Sequence, residues 1–282
     1  MATPGLTITA TPIGNLDDLS PRAVASFQSA DLIACEDTRH TGLMLNRLGI
    51  SHGQLISYHD HTSPKAREKL LKALADGKAI TLVSDAGTPL ISDPGYRLVR
   101  ACRERNIPVT TVPGPSAVLA ALVISGLPTD RFHFAGFLPN TANKRQKALA
   151  RLMRIDATII CYESAKRLSD TLADVASLAP HRNCAVAREL TKTYEESWLD
   201  EAHILAAHFA EHDTPKGEIV LMFAPPSDDE HSYSDDDLMA MLKAALDDGL
   251  SRRDAVRDVT EATNMGKTYI YDLMLRVDHS SS

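Results

Sequence analysis

The chain has 282 residues, enough for two substantial domains and a small appendage. Hydrophobic residues make up 44% and charged residues 24%, as in globular proteins, and the net charge of −7 argues against a general nucleic-acid coat protein. An enzyme that acts on one specific RNA is compatible with this charge, because it needs only a local basic patch.

The cysteines and the N-terminal residues bear on where the protein works. Cys35, Cys102, Cys161 and Cys184 lie far apart, each in an apolar run, so we expect neither a zinc site nor a disulfide framework. We find no signal peptide and no apolar run near the ~20 residues of a membrane helix. We therefore expect a reduced, soluble, cytoplasmic protein without a bound metal.

Residues 1–125 alternate short β-rich runs with amphipathic helical stretches, the pattern of an α/β domain with a mostly parallel sheet. Helices are expected to begin at Ser20-Pro21, at Ser63-Pro64 and at Pro94-Gly95, because Ser caps a helix and Pro suits its first turn. The predicted strands are 6–11, 32–35, 80–84 and 109–112.

Residues 126–226 are predicted to form a second α/β domain, and residues 235–279 a small helical module after a linker at 225–230. In the second domain we expect helices at 144–153 and 169–178 and strands at 132–136, 158–162, 183–188 and 219–224. In the module, a break at 264–267 has the length of a helix-turn-helix corner. Its predicted helices are 238–246, 251–263 and 268–275.

Loops containing glycine and proline follow three predicted strands, at 11–15, 84–95 and 112–117. Ligands of open α/β sheets bind at the carboxyl ends of the strands, so these loops are expected to converge on one crevice. None contains the glycine patterns that cradle phosphates. The longest offers amides, small residues and two carboxylates, which suit a ligand with hydroxyls, an amino-acid end and a positive centre. The alternative is an ordinary turn.

Two polar stretches in the first domain allow different interpretations. The stretch 35–41 places Glu36, Asp37 and Arg39 directly after an apolar strand, either to cap a helix or to line an active site. The stretch Tyr58-His59-Asp60-His61 contains histidines two residues apart, but no third metal ligand is evident. A solvated loop or a contact with RNA or the active site explains it better than a metal site.

Charged groups also follow strands in the second domain, at 162–167, 188–192 and 216–218. They are either surface ion pairs or one side of a cleft, and their shared position at strand ends favours the cleft. Glu163 and Arg188 belong to this set.

A basic run without acidic residues lies between residues 140 and 154. It is either a solvated helix face or the best candidate for phosphate contacts in an acidic chain. We predict RNA contacts at Lys144, Arg145, Lys147 and Arg151. In the C-terminal module acidic residues outnumber basic ones, so DNA binding is doubtful there, while packing or RNA contacts through Arg252, Arg253 and Lys267 remain open.

Six motifs occur together: TPIGNL at 11–16, EDTRHT at 36–41, SDAGTP at 84–89, VPGPS at 112–116, GFLP at 136–139 and YES at 162–164. Together they resemble the tetrapyrrole methylase superfamily, and within it the enzymes that methylate small-subunit ribosomal RNA. The resemblance covers nearly the whole chain and is looser after Pro225.

This resemblance implies a two-domain tetrapyrrole-methylase-like fold with S-adenosylmethionine in the cleft between domains, and a homodimer. It also implies methylation of the ribose 2′-hydroxyl of a cytidine in the decoding region of 16S rRNA. We expect this RNA to be bound within the small ribosomal subunit, with free rRNA as the alternative. The positions that correspond to the cofactor loops are Pro12, Gly14, Asp85, Ala86, Gly87, Pro89, Ile91, Ser92, Asp93, Ser116 and Ala117.

Methyl transfer from a sulfonium is an in-line displacement that needs alignment and a proton acceptor, and it requires no metal. We expect Glu36 or Asp37 to orient or deprotonate the hydroxyl and Arg39 to hold the adjacent phosphate. Glu163 and Arg188 are the second choice.

Two other functions are compatible with parts of the pattern. A methyltransferase of tetrapyrrole biosynthesis would use the same cofactor on a carbon acceptor, but the helical module and the basic run favour RNA. A non-catalytic ribosome-binding protein would not need three converging loops of the cofactor-binding type. Measurable cofactor binding would distinguish a methyltransferase from such a protein.

Overall fold

The computed structural model describes residues 4–59, 62–212, 216–227, 235–263 and 265–279. It consists of two compact units, Met1–Pro225 and Pro226–Ser282. The first unit contains two five-stranded sheets, and the second contains helices. The α/β fold class predicted from the sequence is confirmed, whereas the domain boundaries at 125 and 226 stay a prediction.

The first sheet is entirely parallel, with the strand order β3-β2-β4-β1-β5. Its carboxyl-terminal strand ends therefore lie along one edge, as the alternating pattern predicted. Its strands are β1 (Gly5–Thr9), β2 (Leu32–Cys35), β3 (Gln54–Ser57), β4 (Ala79–Leu82) and β5 (Val109–Val112).

Helices follow these strands, and their starts agree with the capping signals in the sequence. The Ser20 hydroxyl accepts from the amide of Ala23 at 3.1 Å, and the Ser63 hydroxyl accepts from that of Ala66 at 3.2 Å. Proline is the first helical residue in both cases, where its missing N–H has no cost. The helices are α1 (Pro21–Ser29), α2 (Thr38–Arg47), α3 (Pro64–Ala75), α4 (Tyr96–Glu104) and α5 (Ala117–Ile124).

Alternating side chains bury both faces of the first sheet. Leu6 and Ile80 pack on one face with residues of α3 and α4, such as Leu71 and Leu98. Ile33 points to the other face, where it packs with residues of α1 and α2. The result is three layers, with the sheet between two pairs of helices.

The second sheet is mixed, with the order β6-β7-β10-β8-β9. Only β6 and β7 run parallel, and the other neighbours are antiparallel. The strands are β6 (Phe132–Phe137), β7 (Thr158–Ser164), β8 (Asn183–Arg188), β9 (Glu196–Glu201) and β10 (Glu218–Phe223).

Three helices cover one face of the second sheet, and α5 packs against its other face. Leu149, Leu172 and Phe209 come from the three covering helices and share one core with the sheet. Val118 of α5 packs with Ile160 on the opposite face. The covering helices are α6 (Ala142–Leu152), α7 (Ala165–Leu178) and α8 (Ala202–Glu211).

The second unit has its own small core. Leu238, Leu242, Val256 and Ile270 are buried together, so each of its helices contributes an apolar face. The helices are α9 (Asp235–Asp247), α10 (Arg252–Thr263) and α11 (Lys267–His279), in agreement with the helical module predicted from the sequence. Asn264, in the predicted corner, lies outside the described residues.

Within the described residues, no helix has both the length and the apolar character needed to cross a bilayer.

The four cysteines are buried, as their apolar surroundings predicted, and none of them forms a disulfide bond. Burial raises the pKa of the Cys102 thiol to about 11 and that of Cys161 to about 12, so the thiolate is scarce at pH 8. We expect no thiol to react rapidly with Ellman's reagent in the folded protein at pH 8, and all four to react in denaturant. Rapid stoichiometric labelling of the native protein would contradict this burial.

Candidate active site

A cavity of about 420 Å³, which we call the main cavity, opens at the carboxyl edge of the parallel sheet. Its volume is within the range of small-molecule sites. The loops after β4 and β5 line one side with Asp85, Ala86, Gly87, Ile91, Ser92, Asp93, Ser116 and Ala117, all of them predicted cofactor positions. Residues of the second sheet and of the turn after β8 line the other side, among them Phe137, Tyr162, Glu163, Leu190 and Val220.

Direct hydrogen bonds hold the three loops together. The Thr11 amide donates to the Gly87 carbonyl at 2.9 Å, and the Gly87 amide donates back to the Thr11 carbonyl at 3.0 Å. The Thr88 hydroxyl donates to the Pro115 carbonyl at 2.9 Å. The convergence expected from the strand order is therefore confirmed, and the loops form one connected rim.

Left-handed backbone conformations concentrate in this rim. Leu90 has φ of 74° and Ser92 has φ of 64°, while across the cavity Glu189 and Thr191 have φ of 49° and 64°. Such conformations cost about 1–3 kcal/mol each and persist only where surrounding contacts hold them. The rim is thus fixed by its neighbours, which favours a site shaped before its ligand arrives.

Some predicted cofactor positions shape the loops without lining the main cavity. A Cβ at Gly14 would lie 2.5 Å from Cγ of Lys192 and 2.7 Å from Oγ1 of Thr191. Glycine therefore allows the loop after β1 to approach the loop after β8, where the Asn15 amide donates to Thr191 Oγ1 at 3.1 Å. Pro12 and Pro89 are likewise not among the described residues that line the main cavity.

The lining of the main cavity has an unusual charge. Its ionisable side chains are Asp85, Asp93, Glu163, Glu218 and the phenol of Tyr162, and none of the described lining residues is Lys, Arg or His. Glu218 binds Lys192 at 2.9 Å and Glu163 lies 3.4 Å from Arg167, two cations outside the described lining. The negative potential that attracts a positively charged ligand and repels phosphates therefore depends on Asp85 and Asp93. The amides and small side chains of the same rim remain available for hydroxyls.

The polar stretch after β2 lies beside this rim. The Asp37 amide donates to Asp85 Oδ1 at 3.1 Å, which ties the stretch to the longest loop. The Asp37 carboxylate caps α2 by accepting from the Arg39 amide at 2.8 Å, and it also binds the Arg39 guanidinium at 2.9 Å. Glu36, Asp37 and Arg39 do not belong to the described lining of the main cavity.

Arg39 strongly acidifies Asp37. Hydrogen bonds from the Arg39 side chain and amide lower the pKa of Asp37 to about 2. An ionised Asp37 therefore favours the folded state at neutral pH, and this contribution is lost as the pH falls from about 4 through about 2. A carboxylate with so low a pKa is a weak general base.

We expect the side-chain carboxyl of Asp37 to remain mostly ionised at pH 3. The variant Arg39→Ala removes the guanidinium but keeps the amide of residue 39, so its Asp37 carboxyl is expected to have a higher pKa and to be more protonated at that pH than in wild type. Carbon-detected NMR titration of both proteins measures the difference, and equal Asp37 titration curves would show that Arg39 does not control this pKa.

Glu163 lines the main cavity, but its carboxylate is already well bound. It accepts from the Thr171 hydroxyl and from the Ser164 amide, each at 2.8 Å, and the Arg167 Nε lies 3.4 Å away. Arg188 lies outside the described lining and donates to the Lys216 carbonyl at 2.7 Å and to Glu196 at 2.6 Å. Both residues therefore have evident structural partners.

The aromatic side chains Tyr162 and Phe137 line the main cavity and had no role assigned from the sequence, although Tyr162 belongs to the stretch 162–167 expected at a cleft. Tyr162 contacts Phe134 and Phe137, with ring centroids 5.0 and 5.4 Å apart. Burial, helped by the negative charges of Asp93 and Glu218, raises the pKa of Tyr162 to about 12, so the phenol is neutral at pH 7. The sequence signal for these aromatic residues was their position, because Phe137 ends β6 and Tyr162 ends the predicted strand 158–162.

The predicted RNA contact at Arg145 is wrong. Its side chain is only 6% exposed, and its Nε lies 2.6 Å from Asp174 Oδ2, between α6 and α7. A guanidinium held in this way is not available to a phosphate. Lys144, Lys147 and Arg151 are exposed on α6, and RNA binding by them stays a prediction.

One group in the described residues has the composition of a metal site. The side chains of His181, Glu201 and His203 offer ligand atoms within 4.8 Å of one another at the surface. None of the three lines the main cavity. Of the histidine-containing stretch 58–61, Asp60 and His61 lie outside the described residues.

Comparison with known proteins gives consistent matches. Residues 5–203 match the family of Tetrapyrrole (Corrin/Porphyrin) Methylases. A protein of Synechocystis named ribosomal RNA small subunit methyltransferase I is 46% identical over 275 residues, covering 97% of this chain and 98% of the relative. A protein of the same name from Mesorhizobium japonicum is 43% identical, covering 99% and 94%.

Solved structures agree on the fold. Uroporphyrin-III C-methyl transferase from Thermus thermophilus, complexed with S-adenyl homocysteine, superposes with a TM-score of 0.52 at 17% identity, covering 77% of this chain and 96% of that one. The sequence identity and coverage of the curated relatives define the family more narrowly. The chain belongs to the tetrapyrrole methylases and, within them, to the ribosomal RNA small subunit methyltransferase I family.

Proposed function

We propose that this chain transfers the methyl group of S-adenosylmethionine to the ribose 2′-hydroxyl of a cytidine in the decoding region of 16S rRNA. The family supports the reaction class and the substrate, because the curated relatives carry the name of a small-subunit rRNA methyltransferase. The main cavity is the proposed cofactor site.

The charge of the main cavity is the observation that carries this proposal. S-adenosylmethionine has a positive sulfonium, an amino-acid end and ribose hydroxyls, and it has no phosphate. A site of about 420 Å³ with carboxylates, amides and small side chains, and without a cation among its described lining residues, fits that ligand. The proposed cofactor contacts are Asp85 to Gly87, Ile91 to Asp93, Ser116 and Ala117.

When bound, the cofactor supplies an electrophilic methyl group. The residues of the chain must then align the acceptor oxygen and receive the hydroxyl proton. Glu36 remains a proposed proton acceptor, whereas the low pKa of the Asp37 carboxyl makes it a poor one. The backbone amide of Asp37 is proposed to position Asp85. The proposed phosphate contact of Arg39 uses a side chain that is 89% exposed.

The proposed RNA substrate also bears on location and assembly. An acceptor in the small ribosomal subunit would place the protein in the cytoplasm.

Lys144, Lys147 and Arg151 remain proposed RNA contacts on α6. Cleft residues Glu163 and Arg188 are proposed to keep the second side of the cavity rigid through their hydrogen bonds.

A homodimer through α5 is a further part of the proposal. Large apolar side chains of this helix face outward, with Leu119 50%, Val123 74% and Ile124 46% exposed. Leu199 on the edge strand β9 is 50% exposed and lies close to Gly126, just after the helix. A Cβ added at Gly126 would lie 2.8 Å from Cδ2 of Leu199. An apolar patch of this kind favours burial against a second copy.

We expect Val123→Glu to weaken the dimer by at least about 10-fold, since a buried unpaired charge is costly. Size-exclusion chromatography with light scattering over a dilution series measures the change. Leu43→Glu is the matched control, because Leu43 is 52% exposed on α2. A wild-type monomer at all concentrations would contradict the proposed dimer.

The proposed function is tested by incubating the protein with S-adenosylmethionine labelled in the methyl group. Small subunits lacking the modification, free 16S rRNA and a uroporphyrinogen are offered as separate acceptors. Label on small subunits or 16S rRNA supports the proposal. Label on the tetrapyrrole alone, or label on no acceptor by a folded protein that binds the cofactor, contradicts it.

A further inference from the structure

A second cavity of about 650 Å³ lies next to the main cavity, and we call it the side cavity. Ser92 and Asp93 line both cavities. The rest of the side cavity is formed by the start of α3, with Thr62 to Pro64, and by the start of α4, with Tyr96 and Arg97. A ligand in the side cavity would therefore border a ligand in the main cavity at Asp93.

The helices that form the side cavity are also strongly basic. Their acidic residues are largely neutralised, since Glu68 binds Arg105 at 2.7 Å and Glu104 binds Arg100 at 2.9 Å. Other cations of α3 and α4 have no ion pair within the described part of the chain: Lys65, Arg67, Lys69, Lys72, Arg97 and Arg103. In a chain of net charge −7, such a surface favours a polyanion.

The two cavities thus differ in the ligand that they suit. The main cavity has carboxylates and no described cation, whereas the side cavity has Arg97 in its lining and Lys65 beside it. Tyr96 is 64% exposed in the same lining, so its ring face is accessible to a base. Base stacking on an aromatic ring combined with nearby cations is a common mode of single-strand recognition.

We propose that the side cavity receives the acceptor nucleotide, with Tyr96 stacking on its base, with Arg97 and Lys65 binding flanking phosphates, and with Asp93 facing its ribose. This inference rests on the proposed function and assigns its acceptor side. Asp93 borders both cavities, which neither Glu36 nor Asp37 does, so it is the carboxylate between methyl donor and acceptor.

The step is balanced without another reactant. The 2′-oxygen forms a bond to the methyl carbon, the bond from that carbon to sulfur breaks, and its electron pair neutralises the sulfonium. The hydroxyl proton passes to the Asp93 carboxylate, which replaces Glu36 as the proposed proton acceptor because it lines both cavities. Asp93 therefore acts on the acceptor in addition to the cofactor contact proposed for it, as its position in both linings allows.

The phosphate assignment is tested by charge reversal with a matched control. The double variant Lys65→Glu, Arg97→Glu is compared with Arg47→Glu, Lys78→Glu. Arg47 ends α2 and Lys78 precedes β4, so the control charges lie at the amino edge of the parallel sheet, away from both cavities. Binding to small subunits is measured over a series of salt concentrations, and cofactor binding by calorimetry.

For the test variant we expect binding to small subunits to weaken by at least about 10-fold, with a shallower salt dependence. Cofactor binding is expected to stay within about two-fold, and the control variant is expected to match wild type. If the test variant binds small subunits as tightly as wild type does, the inference is overturned. The proposed function is still supported in that case, provided that the wild-type protein methylates small subunits. Wild-type protein that methylates no RNA would overturn both.

The roles of Tyr96 and Asp93 are tested separately. Tyr96→Ala is expected to lower kcat/KM for small subunits by about 10-fold, and Tyr96→Phe to restore it, because stacking needs the ring alone. Asp93→Asn is expected to lower kcat, measured at saturating S-adenosylmethionine, by about 100-fold or more, with binding to small subunits within a few-fold. More than a tenth of wild-type kcat in Asp93→Asn, or no rescue by phenylalanine, would contradict the corresponding role.

Discussion

Replacing Arg145 by alanine is expected to lower the free energy of unfolding by about 3–5 kcal/mol, because it leaves a buried carboxylate without its cation. The side chains of Arg145 and Asp174 are only 6% and 11% exposed and lie 2.6 Å apart. Gln146 still donates to Asp174 at 2.7 Å, but a neutral amide does not balance the charge. Urea unfolding followed by circular dichroism measures the loss.

Two further variants separate charge burial from general damage to α6. Lys147→Ala alters an exposed residue of the same helix, so its unfolding free energy is expected to stay within about 0.5 kcal/mol of wild type. Arg145→Met with Asp174→Leu removes both charges and is expected to recover most of the stability. A loss below about 1 kcal/mol in Arg145→Ala would contradict a buried ion pair.

Replacing Gly87 by valine is expected to weaken cofactor binding by at least about 10-fold. Gly87 has φ of 76°, where a β-branched side chain is strained, and a Cβ would lie 3.3 Å from Cγ2 of Ile13. The residue is also paired in both directions with Thr11, so strain there displaces the loops after β1 and β4 together. Calorimetric titration with S-adenosylmethionine measures the affinity.

Gly77→Val is the matched control for this effect. Gly77 has φ of 87° and nothing within 4 Å of an added Cβ, so it carries a similar backbone strain just after α3. We expect both variants to lose about 1–2 kcal/mol of stability, but only Gly87→Val to lose cofactor affinity. Equal affinities in the two variants would show that the rim around Gly87 is not part of the cofactor site.

The sequence missed two strands, both at sheet edges, whereas the other two edge strands, β5 and β6, were predicted within one residue. Buried strands such as β2 are continuous apolar runs, and their bounds were recognised from composition alone. The short edge strand β3 has only Leu55 and Ile56 as apolar residues, and the edge strand β9 is largely charged. Neither contains a pattern that distinguishes an edge strand from a loop.

One side of the main cavity was predictable residue by residue, and the other only as stretches of sequence. The stretches 162–167, 188–192 and 216–218 were expected to favour a cleft, and Glu163, Leu190 and Glu218 line the cavity. The loops after β4 and β5 could be placed together because parallel strands end at one edge. Phe137 and Leu190 approach them only through packing of the second sheet, and no spacing in the sequence encodes that approach. Burial of Arg145 also depends on a partner 29 residues away, so the basic run resembled a fully solvated face.

Mapping the methylated nucleotide tests the central claim most directly. Small subunits lacking the modification are incubated with the protein and S-adenosylmethionine, and their 16S rRNA is digested and analysed by mass spectrometry at nucleotide resolution. We predict one added methyl group on the ribose of a single cytidine in the decoding region. A methyl group on a base, or no modified nucleotide in 16S rRNA despite cofactor binding, would contradict the proposed function.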